Sequence, residues 1–150
     1  MKHHLMGKKR QPPHIMAVPT SPEHWSDSSK QSYAYQSPPC EYSDRHYTCR
    51  HCKKAAVFTG QEQREAYEVR KAYIWQARVL CEECFATRMQ IEADLQACAH
   101  RWQTARAECH ADTPFMRRWH GLLQQHVEYG GSRDEGNTHM LLTLLRGRDC

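Results

Sequence analysis

Two cysteine pairs of the same form, Cys49-Arg50-His51-Cys52 and Cys81-Glu82-Glu83-Cys84, stand 28 residues apart in a chain of 150. A two-residue spacer lets one tight turn present two sulfurs to one ion. Two such turns complete a tetrahedral shell of thiolates at about 2.3 Å, which matches the size and softness of zinc. Cys49, Cys52, Cys81 and Cys84 are therefore the expected metal ligands, and Zn2+ the expected cofactor. With every position filled by thiolate, no place remains for a reactive water, which argues against metal catalysis. Redox chemistry of a CxxC would need one pair free of metal, and two matched pairs argue against that as well.

Other chemistry-bearing residues read differently. Cys98 and Cys109 fall on an apolar helical stripe, as small buried hydrophobes do. Their 11-residue separation corresponds to roughly 16 Å along a helix, too far to chelate one ion. A second metal site would have to draw on Cys98, Cys109 and His126 across facing helices. His51, between two ligands, is placed to donate to solvent or to a partner, and His100 and His110 read as surface residues. Arg50, His51, Lys53 and Lys54 form a basic cluster beside Tyr47 and Phe58, with Arg64, Arg70, Lys71 and Arg78 following. Arg50, Lys53, Lys54 and Arg78 are the candidate nucleic-acid contacts, since cations beside aromatics can grip phosphates and stack bases. Against this, Glu62, Glu65, Glu68, Glu82 and Glu83 are interleaved with them, as on an ordinary solvated face. No Gly-rich phosphate loop and no nucleophile–base arrangement stands out.

These groups need elements to hold them. Between the cysteine pairs, Ala55–Phe58 reads as a short strand. Thr59-Gly60-Gln61-Glu62 then fits a capping box that starts a helix at Gly60 and carries it to about Lys71. Residues 74–80 read as a second strand, with Trp75, Ala77 and Val79 on one face, delivering Cys81. Beyond Cys84, Ile91, Leu95, Cys98, Trp102, Ala105 and Cys109 recur at intervals of four and three, predicting one helix from about Phe85 to His110. Asp112-Thr113-Pro114 caps a second helix, on which Phe115, Trp119, Leu122, His126 and Tyr129 repeat the spacing until Gly130-Gly131 ends it. The short connection makes the two helices an antiparallel hairpin. Asn137-Thr138 followed by Met140–Leu145 predicts a short capped helix covering it.

Residues 42–84 carry a resemblance. Tyr42-Ser43-Asp44-Arg45-His46-Tyr47-Thr48-Cys49, Phe58-Thr59, Gln61, Gln63, Tyr67-Glu68-Val69, Lys71 and the closing Cys81-Glu82-Glu83-Cys84 resemble the probable zinc-ribbon domain of small uncharacterised bacterial proteins. The resemblance implies a bacterial zinc-binding ribbon with four cysteine ligands and no settled biochemical activity. Two positions depart from that pattern. Lys53 and Ala72 stand where the family usually has glycine, so either turn is open to distortion, because glycine relieves positive-φ strain.

Composition sets the frame. The net charge is +4, from 21 basic and 17 acidic residues, and mean hydropathy is −0.88. Neither the ~20-residue apolar run of a membrane span nor the apolar core of a secretory signal is present, and eight cysteines without an export signal imply a reducing, cytoplasmic setting. Six of the seven prolines lie in the first forty residues, among Ser, Gln, Lys and His, which predicts a flexible arm over 1–40 with Trp25, Tyr33 and Tyr35 as docking points. The expected organisation is then that arm, a zinc ribbon over 41–84, and a helical hairpin with a short C-terminal helix over 85–150. The fold class is α+β, mostly α: a small four-cysteine ribbon with an inserted helix, followed by a long antiparallel hairpin. The expected function is a non-catalytic zinc-binding module and not an enzyme. Its partner is a protein or a second copy, with nucleic acid next, no membrane and no small-molecule substrate. The alternative is a thiol-dependent enzyme or redox protein using a CxxC pair.

Overall fold

The computed structural model describes residues 17–148. The chain is α+β and mostly α, and it packs as two units. One comprises the described residues up to His46 together with Val57–Ala77; the other comprises Tyr47–Ala56 and the described residues from Arg78 onward. The packing groups the chain differently from a division at residues 40 and 84. The first cysteine turn goes with the C-terminal helices, and the segment after β4 goes with the N-terminal residues. Among the described residues no helix is long and apolar enough to cross a membrane.

In the first unit, β1 (Val18–Pro19) pairs antiparallel with β2 (Glu41–Tyr42), Val18 opposite Tyr42. The first sixteen residues of the expected arm lie outside the described ones. The rest of it is structured, with α1 (Asp27–Lys30) and α2 (Tyr33–Gln36) between these strands. One aromatic accounts for this. Trp25 is only 2% exposed, and its indole Nε1 donates to the Tyr42 hydroxyl at 2.8 Å. A buried indole with its N–H satisfied anchors a proline-rich segment that composition alone reads as unordered. Tyr33 and Tyr35 stay exposed, although Tyr35 lies against the Trp25 ring.

The strand β3 (Arg45–Thr48) pairs with β4 (Ala55–Phe58), and α3 (Gly60–Arg64) follows at once. Its capping box is complete: the Thr59 hydroxyl accepts from the Glu62 N–H, and the Glu62 carboxylate accepts from the Thr59 N–H, both at 3.2 Å. Gly60 is needed there because a Cβ at this position would stand 2.6 Å from the Tyr42 carbonyl oxygen. The α-helix stops short of the expected Lys71. A π-turn over Glu65–Val69 continues it, burying Ala66, Tyr67 and Glu68, and Lys71 then reverses the chain at φ 59°.

The second unit holds α4 (Glu82–Thr104), α5 (Arg106–Ala111), α6 (Thr113–Glu128) and α7 (Glu135–Leu145). Arg88 lies beside Gly130, Glu92 beside His126 and Arg101 beside Asp112, so α4 and α6 run antiparallel. Their core contains Ile91, Cys98, Trp102, Cys109, Met116, Trp119 and Leu123, closed by Leu141 of α7. The Trp102 and Trp119 rings stand 5.8 Å apart. The single long helix expected over 85–110 is broken at Ala105, whose φ and ψ of −138° and 48° are not helical. Nothing in the sequence marks the break, since no Gly or Pro is there. Tertiary contacts supply the cause: Arg101 pairs with Asp112 at 3.0 Å and covers the Phe115 ring at 4.3 Å. Those contacts draw α5 back toward α6 while Cys109 stays buried. The cap of α7 is Asp134, three residues ahead of the expected Asn137; its carboxylate accepts from the Asn137 N–H.

Replacing Trp102 by alanine removes the largest side chain of α4 from this core and is expected to lower stability by ~3–5 kcal/mol. Thermal melting of the metal-loaded protein checks it. A midpoint within a degree or two of the parent would show that the two tryptophans do not share a core.

Candidate metal centre

The Sγ atoms of Cys49, Cys52, Cys81 and Cys84 all lie within 4.8 Å of one another, and Cys52 and Cys81 are 3.7 Å apart. Four sulfurs at about 2.3 Å from a tetrahedral centre would be roughly 3.8 Å from each other, so the quartet fits an ion of zinc's size. Among the described residues this is where ligand-type side chains converge on a common point. Cys98, Cys109 and His126 do not form a second cluster, and the His126 ring is engaged with the Glu92 carboxylate at 3.0 Å.

Each pair is set by its own backbone. The first is a knuckle at the tip of the β3–β4 hairpin: the Cys49 N–H donates to the Lys54 carbonyl at 2.8 Å, and the Lys53 N–H to the Cys49 carbonyl at 2.9 Å. Lys53 sits at φ 64°, the left-handed conformation that glycine would adopt without strain. Of the two family glycine positions the chain replaces, only this one has positive φ; near the second it falls on Lys71 instead of Ala72. The second pair does not come from a strand. Residues 74–80 form no strand, because a turn closes over 73–76, the Gln76 N–H donating to the Tyr73 carbonyl at 2.8 Å. Cys81 is instead the N-cap of α4 and Cys84 lies in its first turn. The helix N-terminus is where backbone N–H groups and the helix dipole favour negative sulfur.

Two contacts lock the halves together. The Arg50 N–H donates to the Val79 carbonyl, and the Tyr47 hydroxyl to the Leu80 carbonyl, both at 2.8 Å. The sequence places His51 to donate to solvent or to a partner. Its Nδ1 stands 3.6 Å from the Cys84 sulfur, and its ring stacks on Tyr129 at 3.8 Å. Tyr129, just past α6, packs against both the cysteine cluster and the helical core. This link between metal centre and hairpin was invisible in the sequence, where residues 51 and 129 share no motif.

The centre's electrostatics follow from burial and amide donation. Burial by itself pushes the Cys49 thiol up, but backbone amides of Cys81, Cys52 and His51 outweigh it and bring the thiol down to about 6. At Cys52 an amide from Lys54 favours the thiolate, yet burial and the neighbouring Cys49 and Cys81 sulfurs push it up. Burial and the same crowding of sulfur push Cys84 up to about 12. Amide donation thus favours the thiolate at Cys49, while burial and neighbouring sulfurs favour the protonated form at Cys52 and Cys84.

Residues 43–93 match the family model described as a probable treble clef domain. The geometry agrees with it: a knuckle, a β-hairpin, and a helix whose first turn supplies the second pair. The zinc-ribbon-like reading of residues 42–84 stands in this form, with the match extending nine residues beyond Cys84 along α4. No curated protein and no solved structure matches the chain.

Of the candidate nucleic-acid contacts, Arg50, Lys53 and Lys54 are exposed on the knuckle, and the Lys53 ammonium donates to the Arg50 carbonyl at 2.7 Å. Arg78 is half-buried.

Two outcomes are expected. Near neutral pH, binding of Zn(II) must displace protons from at least Cys52 and Cys84, and from Cys49 also below about pH 6. Apparent affinity should thus rise with pH by about two or more decades per unit. Competition with a chromophoric chelator measures this, and a slope below one decade would contradict it. At Lys53, a valine should cost ~1–2 kcal/mol in the metal-loaded protein because a β-branched residue resists φ 64°, whereas glycine should cost nothing measurable. Denaturant melts of the two variants check the contrast.

Proposed function

We propose that the ion is zinc, that its role is structural, and that the chain works as a non-catalytic binding module. The observation that carries this is the convergence of four cysteine sulfurs on one point, which leaves no coordination position for substrate or water. The alternative of a thiol enzyme or redox protein lacks a free pair, since both CxxC motifs enter the same quartet. The remaining helix cysteines are buried, and burial pushes the Cys98 thiol up, away from the reactive thiolate. Among the described residues all seven cysteines are free thiols, which suits a reducing compartment such as the cytoplasm. The bacterial setting implied by the resemblance belongs to the same reading.

The choice of partner turns on where unsatisfied surface remains. A protein partner or second copy needs apolar surface that the helical hairpin leaves uncovered. In the fold, Trp102, Trp119 and Cys98 are all buried and Leu141 of α7 closes that core, while Phe85, Met89, Val127 and Leu142 of the same unit stay exposed and keep a protein partner in view. Nucleic acid has its own support. The knuckle exposes Arg50, Lys53 and Lys54, a set of cations on one turn whose spacing suits phosphate contact.

Retention of the zinc-loaded protein on heparin and on single-stranded DNA, followed against salt, tests the reading. The variant carrying Arg50→Gln, Lys53→Gln and Lys54→Gln should lower the log–log salt slope by about 2, at about 0.7 per single-strand phosphate contact. No retention even at low salt would turn the reading back to a protein partner. Rapid alkylation of Cys98 or Cys109 in the loaded protein would revive the enzyme.

A further inference from the structure

The strand expected over residues 74–80 would set Trp75 on one face with Ala77 and Val79. A turn stands in its place. Trp75 is 62% exposed, Tyr73 44% and Val69 71%, while Ile74 between the two rings is 5% exposed. The exposure does not come from a loose loop. The Ile74 N–H donates to the Oγ of fully buried Ser29 at 2.9 Å, the Ala72 N–H to the Ala66 carbonyl at 2.8 Å, and the Gln76 N–H to the Tyr73 carbonyl at 2.8 Å. Ile74 and Trp75 occupy the centre of that last turn, so the buried isoleucine is the peg and Trp75 the projecting tip. Lys71 is tied back by its ammonium to the His24 carbonyl.

Charge follows the same pattern. Residues 69–77 hold two cations, Arg70 and Lys71, both exposed, and no acid. The acids of the preceding helix are mostly spent internally. Glu62 closes the capping box, and Glu68 is buried, accepting from the Ser21 N–H and facing Arg64. Glu65 alone of the three is exposed. A fixed turn that offers two aromatic faces beside two cations matches a ligand made of flat rings on a polyanionic backbone.

We propose that the Tyr73–Trp75 turn is a stacking platform for single-stranded nucleic acid, with bases on Trp75 and Tyr73 and phosphates on Arg70 and Lys71. The proposal rests on no knuckle residue, so it can fail while the reading above stands, and the converse holds too. Duplexes fit poorly because their bases are already stacked on one another, and stacking on protein rings requires bases that are splayed out.

The experiment uses the full zinc-loaded chain and a 12-residue oligothymidylate. Trp25, Trp102 and Trp119 are buried, so Trp75 dominates any change in tryptophan emission on binding. Quenching on addition of the oligonucleotide is expected, with the blunt duplex of mixed sequence binding much more weakly. Trp75→Ala should weaken binding by roughly 5- to 150-fold, the range for loss of one base–aromatic stack, and Trp75→Phe should recover most of it. Because Trp75 is exposed, its variants should keep the parent's zinc content and melting temperature. The proposal is overturned if Trp75→Ala binds like the parent, if duplex and single strand bind alike, or if removing Trp75 abolishes a dimer seen by sizing. Loss of binding in the knuckle variant with Trp75→Ala unaffected would leave the knuckle as the contact and the turn without a role.

Discussion

Four cysteine sulfurs held within 4.8 Å of one another cannot all be ionised without a cation among them, and the local structure of residues 47–56 and 78–93 answers to that constraint. Amides converge on Cys49, the knuckle turns back through Lys53, and the N-terminus of α4 points at the second pair. Each device lowers the cost of negative sulfur by a backbone dipole and not by a charged side chain. The knuckle therefore has little tolerance for backbone change, while its exposed side chains at Arg50 and Lys54 take no part in setting the sulfurs. Lys53 lies between the cases: its side chain is exposed, but its backbone stands where glycine would be easier.

The centre is held from the helical side by one stacked pair. His51 reaches the Cys84 sulfur with one edge and lies flat on Tyr129 with its face, at an interplanar angle of 16°. A neutral imidazole donating from Nδ1 would add one more donor to a thiolate and fix the ring's orientation, the same arrangement that orients metal-bound histidines in reverse. Tyr129 in turn belongs to the margin of the hairpin core. Packing of α6 thus bears on the metal centre through Tyr129 as well as through α4, which carries Cys81 and Cys84, and the end of α6 at Gly130 matters more than its sequence suggests.

What was legible in the sequence was local. The ligand set, the Thr59–Glu62 capping box, β4, the Asp112–Pro114 start of α6 and the hairpin pairing all rest on signals contained within a few residues or one helical period. What was not legible depended on partners far away in sequence. The break at Ala105 is imposed by Arg101 reaching Asp112 and Phe115. The order in residues 17–40 hangs on Trp25 meeting Tyr42. The missing strand at 74–80 shows the limit of periodicity most plainly, because Trp75, Ala77 and Val79 do alternate as a strand would. The pattern was real and the inference wrong, since Ile74, read as the off-face residue, is the one that Ser29 and the surrounding core retain.

That reversal also changes how the cations should be weighed. A zinc ion with four thiolates carries about −2 by formal charge, and Glu82 and Glu83 follow directly in the first turn of α4. Arg50, Lys53 and Lys54 on the knuckle therefore sit beside negative charge that the bare count of basic residues ignores. With the metal bound, part of their field would go to balancing the centre they surround. Arg70 and Lys71 have no such neighbour within 69–77, and of the two acids nearest in sequence Glu68 is turned to internal partners while Glu65 is exposed. Cations that count alike in the sequence are thus unequal as sites for a polyanion. The turn with fewer positive residues and two exposed rings offers the less compensated surface, and the knuckle with more of them offers the more compensated one.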